Sequence, residues 1–270
     1  MTTQFDRETS LRQVADNRWQ PESNDYWGGD AVASGGYSHA LAIKAIGLCS
    51  EHPHPATATS HYLRPLVPGL PSEIEVEVMQ KSRRVTTARA ILRQNDKPCL
   101  LTTASYIELD THFGIEGERR PAPPVLPDPQ ACIDTSQEFD EADGEGPRGL
   151  FSRIEVRVTQ EHASAEGHSF PDMAGWVRFR DGSSADTLVP HMFLDTFPPA
   201  IFGEIGYIAW VPTIEFTTHL HRQPAPGWLQ GQFAVEVLSN GRMIESGWLW
   251  DSEGELVADS RQIAMVMTDT

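Results

Sequence analysis

Two stretches of this sequence carry the same residues in the same order, and this repeat decides the fold. His61-Tyr62-Leu63-Arg64 is followed by Pro68-Gly69 and then by a strand-like run, Val76-Glu77-Val78-Met79. The second half of the chain repeats the pattern with His219-Leu220-His221-Arg222, Pro226-Gly227 and Val235-Glu236-Val237-Leu238. The first two matches are 158 residues apart and the third 159, a slip that a β-bulge or an altered turn would produce. We infer that one unit was duplicated within the chain.

The first half has the pattern of one buried helix followed by an antiparallel sheet. Gly35-Gly36 precedes a segment from Tyr37 to Ser50 that is apolar on nearly every side, which is typical of a buried helix. Alternating and apolar runs then predict four strands, at Thr57–Leu63, Ile74–Gln80, Thr86–Arg93 and Leu100–Leu109. Asn95-Asp96 predicts the tight turn between the last two.

The second half repeats this order of elements. Asp186 is a candidate N-terminal cap for a helix that runs to about Ile201. Apolar runs after it predict four strands, at Ile214–Arg222, Gln230–Leu238, Ile244–Trp250 and Leu256–Met267, and two more before it, at Arg153–Thr159 and Trp176–Arg180. The sequence therefore predicts an α+β fold in which each helix is wrapped by its own antiparallel sheet.

The segment between the halves differs from both in composition. It contains Pro121-Ala122-Pro123-Pro124 and then an acidic run, Glu138-Phe139-Asp140-Glu141. Proline and clustered carboxylates disfavour helix and sheet, so we interpret 111–149 as a connector. The predicted domains are then 1–110 and 150–270.

Composition limits the partners and the cell compartment that the sequence favours. The 270 residues carry a net charge of −17, which disfavours nucleic acid and anionic membrane surfaces as partners. Cys49, Cys99 and Cys132 are too few and too scattered for a disulfide framework. Neither a secretory signal pattern nor an apolar run of about 20 residues is present, so we predict no membrane insertion and a cytoplasmic location.

Several short motifs, taken in order, resemble the acyl-CoA thioesterase II family. Ser60-His61-Tyr62-Leu63-Arg64-Pro65 and Gln94-Asn95-Asp96-Lys97-Pro98 resemble its N-terminal half. Pro226-Gly227-Trp228-Leu229, Asp251-Ser252-Glu253-Gly254 and the run from Leu256 to Gln262 resemble its C-terminal half. The resemblance implies a double hotdog fold, two fused hotdog units each with a central helix wrapped by an antiparallel sheet.

The resemblance also implies an activity, a role in lipid metabolism and a site. Members hydrolyse the thioester of acyl-coenzyme A without a cofactor, using an Asp, a Thr and a Gln from the C-terminal half to orient a water. The Gln corresponds to Gln262, and the Asp falls on Glu215. The Thr falls on Glu236 or a neighbour, which departs from the family pattern. A homodimer or a homotetramer is expected by analogy with the family.

The chemistry of these residues suits such a reaction. Glu215 and Glu236 each lie in an apolar run, and burial would raise a carboxyl pKa towards that of a general base at neutral pH. Gln262 shares a predicted face with small residues, which would leave room for a ligand. Gly35 and Gly36 would let a thioester carbonyl approach the start of the helix, where the Gly36 N–H could stabilise an oxyanion. An ordinary solvent-facing or turn role is the alternative for each.

Coenzyme A is polyanionic, so basic clusters are informative in so acidic a chain. Lys81, Arg83 and Arg84 form the densest cluster, and Arg242 is the repeat partner of Arg84. They are candidate phosphate contacts, with a solvated hairpin as the alternative.

Other function classes have weaker support. His219 and His221 share a strand face, but no third convincing ligand accompanies them, so we predict no metal site. A non-catalytic binder of acyl-CoA is the main alternative, because the family's Thr is missing from the position assigned to it. An enoyl-CoA hydratase would need Asn-Pro and His soon after Asp30, where the sequence reads Ala31-Val32-Ala33-Ser34.

Overall fold

A computed structural model describes residues 2–28, 31–111, 114–115, 119–136, 149–159, 172–206 and 209–268. Asp30 and the acidic part of the connector, 137–148, lie outside the described residues. The division into domains at 1–110, 111–149 and 150–270 stays a prediction.

Most elements of the first half surround one long helix. They are α1 (Gln4–Glu8), β1 (Leu11–Ala15), β2 (Arg18–Pro21), α2 (Gly35–Gly47), β3 (His54–Tyr62), β4 (Glu73–Lys81), β5 (Thr86–Gln94) and β6 (Lys97–Ile107). The four predicted strands are present with shifted ends. Asn95 and Asp96 have φ angles of 51° and 60°, which is the backbone of the tight hairpin turn that this pair predicts.

The second half has more strands and shorter helices. It comprises β7 (Ile133–Asp134), β8 (Ile154–Val158), β9 (Asp172–Phe179), α3 (Val189–Phe193), α4 (Phe202–Ile205), β10 (Ala209–Trp210), β11 (Thr213–Leu220), β12 (Leu229–Ser239), β13 (Arg242–Trp250), β14 (Leu256–Met265) and β15 (Met267–Thr268). The six predicted strands correspond to β8, β9 and β11–β14.

Of the strands that the structure describes, 13 from both halves join in one antiparallel sheet, and β10 and β15 pair separately. The order of the 13 strands is β1-β2-β4-β5-β6-β3-β11-β14-β13-β12-β9-β8-β7. The halves meet where β3 pairs with β11, and there Thr59 lies opposite Thr217, their hydroxyl oxygens 2.8 Å apart. These two residues are 158 positions apart, which is the spacing of the sequence repeat. Equivalent residues of the two halves therefore face each other at the seam.

Helix α2 is the buried helix that the sequence predicts, although it begins at the glycine pair itself and ends at Gly47. The Ser34 hydroxyl accepts a hydrogen bond from the Tyr37 N–H and caps it. Leu41, Ile43 and Ile46 are fully buried on different sides of the helix. The sheet therefore wraps α2, as its lack of a polar face requires.

The predicted helix from Asp186 to Ile201 is wrong in its length. Asp186 does accept hydrogen bonds from the Leu188 and Val189 N–H groups, but α3 ends at Phe193. Pro198 and Pro199 follow within six residues, and proline in a helix interior removes a hydrogen bond and clashes with the preceding turn. The segment 194–201 is therefore a turn that passes beside the start of α2.

A buried polar network links α2 and α3 across the seam. His39 Nδ1 lies 2.6 Å from Ser60 Oγ, and His191 Nδ1 lies 2.6 Å from Thr218 Oγ1. His39 Nε2 also reaches Thr218 Oγ1, at 3.0 Å. Burial lowers the pKa of both imidazoles, to about 4 for His191, so both are neutral at pH 7.

Candidate active site

A cavity of about 560 Å³ opens between the two halves, beside the N-terminus of α2. Its lining is mainly apolar and includes Leu63, Leu66, Leu92, Leu100, Val211 and Met265. The polar residues that line it include Ser38 and Tyr62 from the first half and Asp195 and Thr213 from the second. An apolar cavity with a few convergent polar groups is the usual form of a small-molecule site.

Asp195 lies against the first turn of α2. The Gly36 backbone N–H donates a hydrogen bond to its carboxylate. A Cβ on Gly36 would lie 2.9 Å from Asp195 Cβ and 2.7 Å from the Met192 carbonyl oxygen, so glycine is needed for this approach. Burial, opposed in part by the Gly36 hydrogen bond and reinforced by the nearby Glu245 carboxylate, raises the pKa of Asp195 to about 7.

A chain of hydrogen bonds leads inward from Thr213. Its hydroxyl donates to Gln262 Oε1 at 3.1 Å, and Gln262 Nε2 donates to Glu245 Oε1 at 2.7 Å. Glu245 Oε2 accepts from the Ala200 N–H at 2.8 Å. Glu245 is 5% exposed, and this burial raises its pKa to about 7 against the two hydrogen bonds, which lower it. Asp195 and Thr213 thus face the cavity, with Gln262 and Glu245 behind Thr213.

A bulge in β11 decides which of its residues face inward. Thr213 pairs with Ala264 and Phe216 with Gln262, all on the inner face, whereas the register shifts by one residue between Thr213 and Glu215. In a regular strand Thr213 and Glu215 would share a face. With the extra residue they do not, and the Glu215 carboxylate accepts from Thr217 Oγ1 at 2.6 Å. The structure therefore does not bring Glu215 to the cavity.

Glu236 is also on the outer face of the sheet. Its carboxylate accepts from Ser246 Oγ at 2.9 Å and pairs with Arg261 at 2.6 Å. These hydrogen bonds lower the pKa of Glu236, the opposite of the shift that a buried general base would show. Of the predicted residues, Gly35 lines the cavity, Gly36 binds Asp195 beside it and Gln262 lies behind Thr213.

The basic residues are divided between different parts of the molecule. Lys81, Arg83 and Arg84 are at the end of the sheet where β5 begins, whereas Leu92, six residues along β5, lines the cavity at about 20 Å from that end. Lys81 pairs with Glu51. Arg242 lies nearer, since it pairs across the ladder with Met265 of the lining. Arg64 is the basic residue among the described lining.

Other candidate features do not form a second centre. His219 and His221 both bind the Asp259 carboxylate, at 3.0 and 2.6 Å. No group of three or more His, Cys, Asp or Glu in the described ranges is arranged to hold a metal ion. Of the helices that the structure describes, none has the length and apolar character needed to cross a membrane.

Sequence reasoning missed Asp195, Thr213 and Glu245. The signal for Asp195 was a lone acid in the mainly apolar run from Leu188 to Phe197, which also contains His191 and Thr196. Thr213 gave none, because its orientation depends on the bulge. Glu245 was included in the predicted strand Ile244–Trp250 but was not singled out from it.

Each half of the chain matches a model of a known protein family. Residues 23–107 match a family model described as the acyl-CoA thioesterase N-terminal domain, and residues 129–266 match the model of its C-terminal domain. An uncharacterized protein of Mycobacterium tuberculosis is 24% identical over 267 residues, covering 92% of this chain and 90% of that protein.

Solved structures share the fold over almost the whole chain. A proposed thioesterase II of Thermobifida fusca YX superposes with a TM-score of 0.86 at 28% identity, over 98% of each chain. A protein of unknown function from Alicyclobacillus acidocaldarius, described as having a hot dog fold, gives a TM-score of 0.84 at 18% identity over 100% of both chains. An acyl-CoA thioesterase II from Mycobacterium marinum gives 0.75 at 16% identity, over 98% of this chain and 99% of its own. The predicted double hotdog α+β fold is confirmed.

Proposed function

This chain belongs to the acyl-CoA thioesterase family, and from that premise we propose that it hydrolyses acyl-coenzyme A to a free acid and coenzyme A. The observation that carries the proposal is the position of Asp195, a carboxylate of raised pKa that lines an apolar cavity together with Thr213, in front of Gln262. The Asp, Thr and Gln that the resemblance implies are thus assigned to these three residues. Asp195 replaces Glu215 in that assignment, and Thr213 replaces Glu236.

The proposed reaction needs no covalent intermediate. Asp195 accepts a proton from a water as its oxygen attacks the thioester carbonyl carbon, and a pKa of about 7 leaves a usable fraction ionised at neutral pH. The Thr213 hydroxyl donates to Gln262, so its oxygen can accept a hydrogen bond from that water. The carbon–sulfur bond of the tetrahedral intermediate then breaks, and Asp195 returns the proton to the thiolate.

The start of α2 is proposed to stabilise the oxyanion. The positive end of the helix dipole lies beside Gly35, which lines the cavity and whose lack of a side chain leaves room for the Asp195 carboxylate, 2.7 Å from where a Cβ would stand. The Gly36 N–H already donates to Asp195, so its proposed role shifts from oxyanion donor to holding the base in place.

The rest of the cavity suits the substrate. Its apolar lining is proposed to take the acyl chain, and Arg64 and Arg242 are better placed than Lys81, Arg83 and Arg84 for the phosphates of coenzyme A. Cofactor independence, a homodimer or homotetramer, and a cytoplasmic location stay predictions. A non-catalytic binder stays the alternative, although the Thr whose absence favoured it is assigned to Thr213 in the proposed site.

The test is thiol release from acyl-CoA substrates of increasing chain length. Thr213→Val should lower kcat at least ten-fold, because it removes the hydroxyl that positions the water. Thr217→Val is the matched control, since Thr217 is on the same strand but on the outer face, and it should keep activity within two-fold. Ligand-induced thermal stabilisation of the wild type without thiol release from any substrate would favour a binding protein instead.

A further inference from the structure

Glu245 is a buried acid that the proposed reaction does not use. It lies on β13 directly opposite Gln262 of β14, and both of its oxygens accept backbone or side-chain N–H groups. A group so placed has no access to substrate, because Gln262 and Thr213 stand between it and the cavity. Its position suggests that it acts on the residue it binds.

The side-chain amide of Gln262 can take two orientations. Its amide has a donating end and an accepting end, and the two ends can exchange by a half-turn of the side chain. A carboxylate can only accept hydrogen bonds, so ionised Glu245 holds the NH2 end towards itself. The carbonyl end then faces Thr213 and takes the proton of its hydroxyl.

We propose, on the basis of the function proposed above, that Glu245 is a positioning residue that fixes the amide of Gln262 so that the Thr213 oxygen is left to accept from the attacking water. The Ala200 N–H holds the second oxygen and fixes the carboxylate in turn. If the amide turned, its NH2 would donate to Thr213, whose hydroxyl would then direct its own proton into the cavity.

Of the described groups that face Glu245, one is ionisable. Val235 lies opposite it on β12, Gln262 lies opposite it on β14, and the 194–201 segment brings the Ala200 N–H and the carboxylate of Asp195. The charge of Glu245 therefore also raises the pKa of Asp195. At pH 8.5 both acids are ionised. Assays at this pH therefore measure the effect of Glu245 on Gln262 without its effect on the ionisation of Asp195.

The kinetic test is a double-mutant cycle at that pH. Glu245→Gln should lower kcat about ten-fold with KM within two-fold, and Gln262→Ala should lower kcat at least as much. Because Glu245 acts through Gln262, adding Glu245→Gln to Gln262→Ala should cost less than two-fold more. Full multiplication of the two effects would overturn the proposal. In addition, the acid limb of the kcat/KM profile of Glu245→Gln should move to lower pH, because the repulsion on Asp195 is lost.

A second measurement needs neither turnover nor a variant at Glu245. In Asp195→Asn, where the second acid no longer titrates, the Gln262 side-chain amide resonances, assigned by their loss when Gln262→Ala is added, should shift with pH around 7 as Glu245 titrates. Amide proton resonances that at pH 9 lack the downfield shift of an N–H group bound to a carboxylate would overturn the proposal even if the enzyme is active. Titrating resonances in Asp195→Asn, with no thiol released by the wild type, would instead contradict the proposed function and leave this contact standing.

Discussion

The two halves share their strand layout and differ where the chemistry lies. Ala88 pairs with Ala104 in the first half, and in the second the same ladder position pairs Glu245 with Gln262. The correspondence follows from Ser60, which lies opposite Thr102 as Thr218 lies opposite Ser260, both 158 residues on. One half therefore has two buried methyl groups where the other has a buried acid and an amide.

The lengths of the two helices explain why the first half has two alanines at this ladder position and the second half has Glu245 and Gln262. His39 and His191 take matching places in the central network, so Ile43, four residues on in α2, corresponds to Asp195, four residues on from His191. Helix α2 continues to Gly47, and the Tyr106 hydroxyl donates to the Ile43 carbonyl, so this side is filled. In the second half α3 ends early, and the space beside the sheet admits Asp195, Glu245 and Gln262. The comparison indicates that helix length decides which half carries polar chemistry.

The largest effect on kcat is expected from a substitution of Asp195, which takes the place that Ile43 has in α2. Asp195→Asn should lower kcat by a factor of about 10² to 10⁴, the usual contribution of general base catalysis. Glu215→Gln and Glu236→Gln are matched controls, since they neutralise carboxylates on the outer face, and each should stay within two-fold. A thiol-release assay compares kcat of Asp195→Asn with kcat of the two controls. Loss of activity in Glu215→Gln with full activity in Asp195→Asn would reverse the assignment.

The central network predicts a pH-dependent contribution to stability. His191 has a folded-state pKa of about 4 against an ordinary 6.5, so below pH 6.5 the unfolded chain binds a proton that the folded protein rejects. Stability is lost as the pH falls from 6.5 to 4, by about 3 kcal/mol at the lower end.

The measurement is urea unfolding at pH 7.5 and pH 4.5. His191→Gln cannot titrate, so the free energy of unfolding of the wild type relative to this variant should fall between the two pH values. His61→Gln changes an exposed histidine and should leave the wild-type dependence intact. An equal dependence in wild type and His191→Gln would show that His191 is charged or absent from the network.

The filled side of the molecule predicts a smaller, purely structural effect. Ala104→Gln places in the first half the residue that the second half has at this position, but under α2 there is no space for it. Overpacking should cost about 1–3 kcal/mol in stability, with kcat of the folded protein unchanged. Thermal unfolding and thiol release measure the two effects. A fall in kcat without loss of stability would mean that the halves are coupled in another way.

The smallest effect is expected at the mouth of the cavity. Arg64→Ala should raise KM about two- to five-fold with kcat unchanged, because an exposed charge–phosphate contact contributes no more than about 1 kcal/mol. Lys81→Ala, at the other end of the sheet, should change neither constant. A larger rise in KM for Lys81→Ala would return the coenzyme A site to the predicted basic cluster.

Repetition and periodicity were enough to predict the fold, because they report which faces are buried. The Val and Ile alternation of β4 and the all-round apolar character of α2 are properties of the residues themselves. The site residues were harder to predict, because their positions depend on local irregularities and not on the apolar pattern. Thr213 faces inward because of one bulge, and Asp195 reaches α2 because Pro198 and Pro199 stop a helix before them. Such local departures reverse a face or end an element without changing the apolar pattern.

The contact between Gly36 and Asp195 has an evolutionary consequence. In an assembly of two identical, unlinked copies, every substitution occurs twice, so ending one helix early to admit an acid would also shorten its partner and place a second buried acid at the position of Ile43. Covalent fusion removes that constraint, since each copy can then mutate alone. Joining the two units therefore made it possible for one to keep the intact helix and for the other to give it up.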